Sequence, residues 1–259
     1  MFDALGALAL GPGDDLVVVN NGAPGLEPPG GAVRVLDAAA VRSSYFARNA
    51  GARATSQEWL LFIDADCVPV RDLLDLYFSP KPGEAVGALA GGVVPQERAG
   101  SLMERHAVAR RLLDQSVFLA RERPFAATAN LLVRREAWAA VGGFREVRSG
   151  GDVDFSWRLH EAGWGLETRP GASVEHRHRS TLSSYLRQRA RYGGGAAWLA
   201  AAHPGAREPA RPLRGAARSL LAGISAGLHG RGEEAAFLGI DSLGYLAHAA
   251  GARRSNVPG

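Results

Sequence analysis

Two aspartates follow directly on an apolar segment of the chain. Trp59–Ile63 predicts a buried strand, and Asp64 and Asp66 come immediately after it. Carboxylates at positions i and i+2 of a strand point to the same face, and at the carboxyl end of an open sheet they face the crevice where ligands bind. Two close carboxylates repel each other unless a cation lies between them, and Mg²⁺ or Mn²⁺ takes its remaining oxygen ligands from phosphates. The pattern indicates a site for a metal and a diphosphate; the alternative is a pair of solvated turn aspartates.

A third carboxylate stands at the predicted start of a helix. Gly150 and Gly151 precede Asp152, and the helix is expected over Asp152–Ala162. A carboxylate near a helix N-terminus tends to stay ionised, which suits a general base that accepts a proton from a hydroxyl group. The alternative is that Asp152 is a helix cap, and Asp154 is equally consistent with a surface position.

Two further groups of side chains have suitable chemistry. His176 and His178 share a face if their segment is extended, and either is able to complete a metal site begun by Asp66; the alternative is a basic surface strand. Gln188, Arg191 and Tyr192 are neighbours on a predicted helix, where amide, guanidinium and aromatic groups suit a diphosphate and a sugar ring. The alternative for this group is a solvated basic helix.

The elements that must position these residues alternate between strands and helices. Strands are predicted over Leu16–Asn20, Val33–Leu36, Trp59–Ile63, Ala85–Val94 and Asn130–Val133. Helices are predicted over Ser43–Ala54, Val70–Phe78, Leu102–Leu119, Arg135–Val141, Asp152–Ala162 and Leu182–Tyr192. Gly193, Gly194 and Gly195 are expected to end the last of these, and a proline-rich hinge over His203–Leu213 with one or two weakly amphipathic helices follows. The alternation predicts an α/β layered fold.

Composition and charge narrow the class of protein. The 259 residues are 46% hydrophobic and 22% charged, which is typical of a globular chain with a sizeable core. The net charge of +4 is uneven, with −4 over residues 1–175 and +8 over residues 176–259. A basic C-terminal third indicates an anionic partner, and we expect Arg207–Arg231 to lie on an anionic lipid surface or near the acceptor. Nucleic acid is not expected, since the arginines lack interleaved aromatic residues.

Cysteine content and hydropathy bear on location. Cys67 is the single cysteine, which excludes an intrachain disulfide and a cysteine-based zinc site and fits a reducing, cytoplasmic setting. No basic segment typical of a signal peptide opens the chain, and no uncharged apolar run reaches the roughly 20 residues of a spanning helix. We therefore expect a cytoplasmic protein that meets the inner face of the membrane, if at all, as a peripheral protein.

Taken together and in order, these segments resemble the family 2 glycosyltransferases with the GT-A fold, a Rossmann-like, mixed but mostly parallel sheet flanked by helices. The resemblance runs from about Asp15 to Trp198. It rests on LVVVNNG (16–22), SYFARNAG (44–51), WLLFIDADCVP (59–69), ATANLLVRR (127–135), VGGFRE (141–146), GGDVDFSWRLHEAGW (150–164) and QRARY (188–192). Residues 177–179 and RYGGGAAWLAAAHPG (191–205) also resemble the glycosyltransferases of mycofactocin biosynthesis.

The resemblance implies an enzyme that transfers a sugar from a nucleotide-sugar donor, such as a UDP- or GDP-sugar, to an acceptor hydroxyl with inversion. It implies Mg²⁺ or Mn²⁺ as cofactor, with Asp66 as the principal ligand, His176 as a further ligand, and Asp64 on the metal, its bound water or the ribose. Asp152 would be the general base. The residues expected along the donor nucleotide, the sugar pocket and the diphosphate are Asn20, Arg48, Asn49, Gly142, Gly143, Gln188, Arg191 and Tyr192.

Three departures from the family pattern shape the expectations. A first strand of the type V-S-V-V-I-P is not seen before Leu16, Asn20 stands where an aspartate is usual, and Gly151 replaces the usual glutamate. The expected domains are residues 1–200, an N-terminally short GT-A transferase domain, and residues 201–259, a helical tail. The absent strand leaves a second interpretation open, a non-catalytic or partner-dependent nucleotide-sugar-binding module. A nucleotidyltransferase also uses paired aspartates, but its glycine-rich phosphate loop is not seen.

Overall fold

A computed structural model describes residues 5–22, 25, 33–96, 100–205 and 211–258. Its strands are β1 Leu16–Asn20, β2 Val33–Asp37, β3 Trp59–Ile63, β4 Cys67–Pro69, β5 Val86–Pro95, β6 Asn130–Arg134 and β7 Gly165–His176. Its helices are α1 Ser44–Arg53, α2 Leu73–Tyr77, α3 Leu102–Ala109, α4 Gln115–Leu119, α5 Arg135–Ala140, α6 Gly151–Glu161, α7 Leu182–Ala202, α8 Pro212–Leu228 and α9 Gly232–Gly251. Residues 206–210 of the hinge predicted over His203–Leu213 lie outside the described residues.

The strands form two sheets. One has the order β3-β6-β5-β7-β4, and the other is the parallel pair β1-β2. Within the larger sheet β5 and β7 are parallel, whereas β3/β6, β5/β6 and β4/β7 are antiparallel. The prediction of an α/β architecture is confirmed. The prediction of a mostly parallel sheet is corrected, since most pairings among the described strands are antiparallel.

The apolar character of the central strands explains their position. Leu131, Leu132 and Val133 of β6 are buried on both faces, because helices cover the sheet on either side. In β5 the pairing register shifts at Gly91 and Gly92, where a side chain would overlap the backbone of the β7 segment. These two glycines therefore permit the close approach of β7 within a continuous β5.

The predicted helices form, but one of them is divided into two shorter helices. The segment 102–119 is two helices, because Arg111 and Leu113 adopt positive φ angles of 51° and 69° between α3 and α4. The hydroxyl of Ser101 caps α3 by accepting from the Glu104 amide, and the Glu104 carboxylate accepts from the Ser101 amide. Helical periodicity across 102–119 did not reveal this break.

The prediction that Gly193–Gly195 ends a helix is wrong, because α7 continues through these residues to Ala202. Their lack of side chains permits contact with neighbouring backbone: a Cβ at Gly193 would overlap the His248 carbonyl of α9, and one at Gly195 would meet Ser149 at 2.9 Å. Packing against other elements offsets the low helix propensity of glycine here.

The C-terminal helices pack in series, α9 on α7 and α8 on α9. Helix α9 crosses α7 where Gly251 approaches Ala190, and α8 packs on α9 through a hydrogen bond from the Ser242 hydroxyl to the Ala216 carbonyl at 3.0 Å. The predicted boundary after residue 200 falls within the last turn of α7. Among the described residues, none of the helices combines the length and the apolar character of a bilayer span.

The α7–α9 crossing generates a test of stability. A Cβ at Gly251 would overlap the carbonyl of Ala190, so we expect Gly251→Ala to lower the free energy of unfolding by about 1–3 kcal/mol. For a chain of this size that lowers Tm by about 2–4 °C per kcal/mol, measured by circular dichroism.

Gly239→Ala is the matched control on the same helix. A Cβ at Gly239 meets nothing within 4 Å, so the better helix propensity of alanine should leave Tm unchanged or raise it. Equal destabilisation by both substitutions would contradict the packing account.

Candidate functional site

Asp64 and Asp66 lie in a turn and not on a strand. Strand β3 ends at Ile63, and Asp64–Asp66 connect it to β4, with the Cys67 amide donating to the Asp64 carbonyl at 3.0 Å. The two carboxylates consequently have different partners. This corrects the expectation that they share one strand face.

Asp66 lies beside His176. Strand β4 pairs with the end of β7, which sets Cys67 opposite His176 and brings His176 Nε2 within 3.5 Å of Asp66 Oδ2. The hydrogen bond from His176 holds the pKa of the Asp66 carboxyl below its usual range. The Asp66 side chain is 58% exposed, whereas His176 is buried and its ring contacts that of His178 at 5.1 Å between centroids. The structure thus brings Asp66 and His176 side by side.

The side chains near Asp66 supply only some of the ligands that a divalent cation needs. Within the described ranges, no group of three or more histidine, cysteine, aspartate or glutamate side chains is arranged to hold a metal. Asp66 and His176 offer one carboxylate and one imidazole, and both are accepted by Mn²⁺. A cation bound by these two takes its other ligands from a diphosphate and water. The pair therefore fits a metal that arrives with its nucleotide.

Asp64 is engaged by Arg48. The Arg48 guanidinium of α1 forms an ion pair with the Asp64 carboxylate and lies 5.3 Å from the centre of the Tyr45 ring. These contacts do not group Asp64 with Asp66 and His176 around one metal, as the sequence predicted. Asp64 instead contacts Arg48, a residue that the sequence placed along the nucleotide.

Asp152 lies at the start of α6 and is tied to the same cluster. The Tyr45 hydroxyl donates to Asp152 Oδ1 at 3.0 Å. Burial raises the pKa of Asp152, while the positive charge of Arg48 and the bond from Tyr45 act in the opposite direction. Asp152 is therefore a partly buried carboxyl with an elevated pKa, a property suited to proton transfer.

The backbone before Asp152 requires glycine. Gly150 has a φ of 83° and precedes the helix in the left-handed region. A Cβ at Gly151 would meet the Tyr45 ring at 2.8 Å, so Tyr45 fills the space that a side chain at position 151 would need. This contact accounts for the glycine where the family pattern has a glutamate.

Helix α7 closes the cluster on another side. Gln188 Nε2 donates to the Tyr192 hydroxyl at 3.0 Å, and the Arg191 guanidinium lies 5.8 Å from the Tyr192 ring centre. Burial raises the pKa of Tyr192, and the negative charges of Asp152 and Asp64 add to that rise. Tyr192 is therefore within electrostatic range of Asp152 at the start of α6 and of Asp64 in the turn after β3.

The remaining predicted residues are bonded within the protein. Asn20 is buried, and its amide donates to Asp37 at 2.7 Å. Both polar atoms of the Asn49 side chain bond the backbone of Phe144, at 2.7 and 2.9 Å, so Asn49 fixes a loop and the expectation that it lines the nucleotide is not supported. Gly142 and Gly143 have φ angles of 71° and 75° in that loop, and the Gly143 carbonyl accepts from Arg158 at 2.8 Å.

Sequence reasoning missed one buried charged cluster. Asp154, fully buried, accepts hydrogen bonds from Arg158 at 2.8 Å and pairs with His203 at 2.9 Å. Arg158 also donates to the carbonyls of Val141 and Gly143. The spacing i, i+4 of Asp154 and Arg158 was a usable signal, whereas His203 comes from the end of α7 and carried none. Tyr45 was also missed, since no pattern indicated its contact with Asp152.

Comparisons with known proteins show the family of the chain. The family model "Glycosyl transferase family group 2" matches residues 59–248. The chain is 34% identical over 167 residues to a pre-mycofactocin glycosyltransferase of Mycobacterium tuberculosis, a match that covers 61% of this chain and 35% of the relative. It is 33% identical over 128 residues to the glycosyltransferase AglE of Haloferax volcanii, covering 48% of this chain and 41% of the relative. The matches thus span well under half the length of these curated relatives.

Solved structures show the same fold. A mannosyltransferase from Pyrobaculum calidifontis in complex with GDP-Man and Mn²⁺ superposes with a TM-score of 0.59 at 18% identity, covering 85% of this chain and 69% of that one. The Mycobacterium tuberculosis glucosyl-3-phosphoglycerate synthase in complex with Mn²⁺, UDP and phosphoglyceric acid gives a TM-score of 0.50 at 15% identity, covering 77% and 72%. At this level of identity the likeness concerns the GT-A fold alone.

The buried cluster around Asp154 generates a prediction. Asp154→Asn removes the charge that faces Arg158 and His203, so we expect a loss of about 3–5 kcal/mol in the free energy of unfolding, measured by urea denaturation. Glu161→Gln is the control, because Glu161 is exposed and 3.9 Å from His203, and it should cost less than about 1 kcal/mol. Equal stability of wild type and Asp154→Asn would contradict a stabilising role of the cluster.

Proposed function

The chain belongs to glycosyl transferase family group 2, and from this premise we propose that it transfers a sugar from a UDP- or GDP-sugar to an acceptor hydroxyl with inversion at the anomeric carbon. The observation that carries the proposal is the convergence of Asp152, Tyr45, Arg48 and Asp64 in one hydrogen-bonded and ion-paired cluster. A carboxylate with an elevated pKa, close to the turn proposed to bind the diphosphate, suits the base of a direct displacement.

The donor diphosphate would bind at the turn after β3. Asp66 and His176 would hold Mg²⁺ or Mn²⁺, which when bound supplies neutralisation of the diphosphate charge. Solved relatives of the same fold bind Mn²⁺ with GDP-Man or with UDP, which supports this choice of donor and cofactor. Arg48 adds a fixed positive charge beside this turn through its pair with Asp64.

The proposed base is Asp152. As the acceptor oxygen attacks the anomeric carbon, its proton passes to the Asp152 carboxylate, and the bond from the anomeric carbon to the diphosphate oxygen breaks. Attack from the face opposite the leaving group inverts the configuration. The Tyr45 hydroxyl donates to Asp152 and the Arg48 charge lies nearby, and both favour the ionised form that accepts a proton.

Helix α7 is proposed to contact the substrates. Gln188, Arg191 and Tyr192 form one group on the helix, and Tyr192 lies within electrostatic reach of Asp152 and Asp64. The Arg191 guanidinium suits the diphosphate, and the Tyr192 ring suits the face of a sugar. Asn20 and the Gly142-Gly143 loop are proposed along the nucleotide and the donor sugar.

The similarity to a pre-mycofactocin glycosyltransferase supports pre-mycofactocin as the first acceptor to test. We also propose a cytoplasmic location with a peripheral membrane contact through the basic C-terminal third, which fits the single buried cysteine. Residues 1–200 are proposed to hold the transferase site and residues 201–259 to form the helical tail.

A second candidate function follows from the separation of the two sheets. Strands β1 and β2 pair only with each other among the described strands. The end of β1 at Asn20, which is proposed to lie along the nucleotide, is therefore not hydrogen-bonded to β3 through a shared sheet. A binding module that needs a partner for catalysis would have this arrangement. Calorimetry with Mn²⁺ and UDP or GDP separates the two: binding without release of nucleoside diphosphate from the sugar donor favours the module, and absence of binding contradicts both.

The first of two predictions about catalysis concerns the base. Asp152→Asn retains the shape of the side chain but is a far poorer proton acceptor, so we expect nucleoside diphosphate release in the presence of acceptor to fall by about 10²–10⁴-fold. Donor binding, measured by calorimetry, should stay nearly unchanged. Transfer at the wild-type rate would show that Asp152 is not the base.

The second prediction concerns the pH dependence. Removing the Tyr45 hydroxyl in Tyr45→Phe deletes a bond that lowers the pKa of Asp152, so that pKa rises further. Since only the ionised carboxylate accepts the proton, the acid limb of the pH–rate profile should move to higher pH while the plateau rate is retained.

Tyr77→Phe is the control for that profile. Tyr77 is also buried, but its hydroxyl donates to Asn130 at 2.7 Å and not to Asp152, so the pH–rate profile of Tyr77→Phe should match that of wild type. An unmoved acid limb in Tyr45→Phe, or the same displacement in both variants, would refute the coupling of Tyr45 to Asp152.

A further inference from the structure

The large apolar side chains of α8 point away from the protein. Leu213, Leu220, Leu221, Ile224 and Leu228 are between 53% and 82% exposed. Their spacing places them along one stripe of the helix, since they fall near positions i, i+7, i+8, i+11 and i+15. A contiguous stripe of exposed aliphatic residues marks an interaction surface.

The face of α8 that contacts the protein is made of small residues. Ala216 and Ala226 are buried, and a Cβ at Gly215 would meet the Tyr245 ring at 2.9 Å. A Cβ at Gly223 would likewise lie 3.3 Å from the Leu238 side chain. Helix α8 thus buries its smallest side chains and exposes its largest, the reverse of an ordinary surface helix.

Charge identifies the kind of partner. Arg211, Arg214 and Arg218 are exposed on the same helix or immediately before it, and no acidic residue occurs from Arg211 to Gly232. Arg214 and Arg218 are one turn apart and flank one edge of the apolar stripe. Arginines beside an exposed aliphatic stripe match the anionic head groups and acyl chains of a lipid surface.

We infer that α8 lies in the plane of an anionic phospholipid surface, with its leucine stripe inserted and Arg214 and Arg218 at the head groups. A second copy of the chain is less well suited to this face, because a symmetric contact between two α8 helices would offer the arginines no acidic partner on that helix. The inference specifies the membrane contact proposed above and is independent of the transferase chemistry, so either can fail alone.

Vesicle flotation of the full chain tests the inference. Wild type should float with phosphatidylcholine vesicles that contain phosphatidylglycerol, less with phosphatidylcholine alone, and less at high salt. Leu221→Ser with Leu228→Ser should lower partitioning by about 100-fold, and Arg214→Ala with Arg218→Ala by about 30-fold. The control, Leu102→Ser with Val108→Ser, removes residues of comparable type that are 39% and 41% exposed on α3 and should partition like wild type.

A fluorescent label distinguishes insertion from protein contact. Cys67 is 4% exposed, so a polarity-sensitive dye attached to Leu221→Cys reports on the stripe, and its emission should shift to the blue with phosphatidylglycerol vesicles. The same dye at Leu102→Cys should not shift. Absence of flotation, equal loss in the α3 control, or a dimer in sedimentation that Leu221→Ser with Leu228→Ser dissociates would each overturn the inference.

Discussion

The charge of Arg48 beside two carboxylates is the interaction on which the candidate site depends. Its guanidinium pairs with Asp64, and it lowers the pKa that burial raises at Asp152. Carboxylates brought into one cleft repel each other unless a cation separates them, and a buried one tends to take up a proton. Arg48 therefore permits the turn after β3 and the start of α6 to approach, and Tyr45, one turn before it on α1, completes the link to Asp152.

The position of α1 is in turn fixed by buried hydrogen bonds to distant backbone. Ser43 caps the helix and its hydroxyl donates to the Val147 carbonyl at 2.8 Å, while Asn49 bonds Phe144. Arg158 holds the neighbouring loop and is itself oriented by buried Asp154. The residues that sequence similarity assigns to the ligand thus form two groups. Some, such as Asn49, hold the scaffold in place, and the others are proposed to contact a substrate.

Local patterns in the sequence predicted what local forces decide. Apolar runs predicted β1 and β3, and glycines before an acid predicted the start of α6. Strands β4 and β7, whose pairing places His176 beside Asp66, were not predicted. Long-range contacts decided the rest. The Asp64–Arg48 pair, the amide of Asn49 on Phe144, and the passage of α7 through Gly193–Gly195 all depend on which segment packs opposite, and neither propensity nor periodicity carries that information.

The proposed reaction requires the Asp66–His176 pair and Asp152 to serve one donor diphosphate. The most direct measurement is a crystal structure with Mn²⁺ and whichever of UDP or GDP binds in calorimetry. We expect Mn²⁺ bonded to Asp66 and His176, and Asp152 facing the space next to the terminal phosphate where a sugar would lie. A metal bound away from both residues, or a diphosphate on a different face from Asp152, would contradict it.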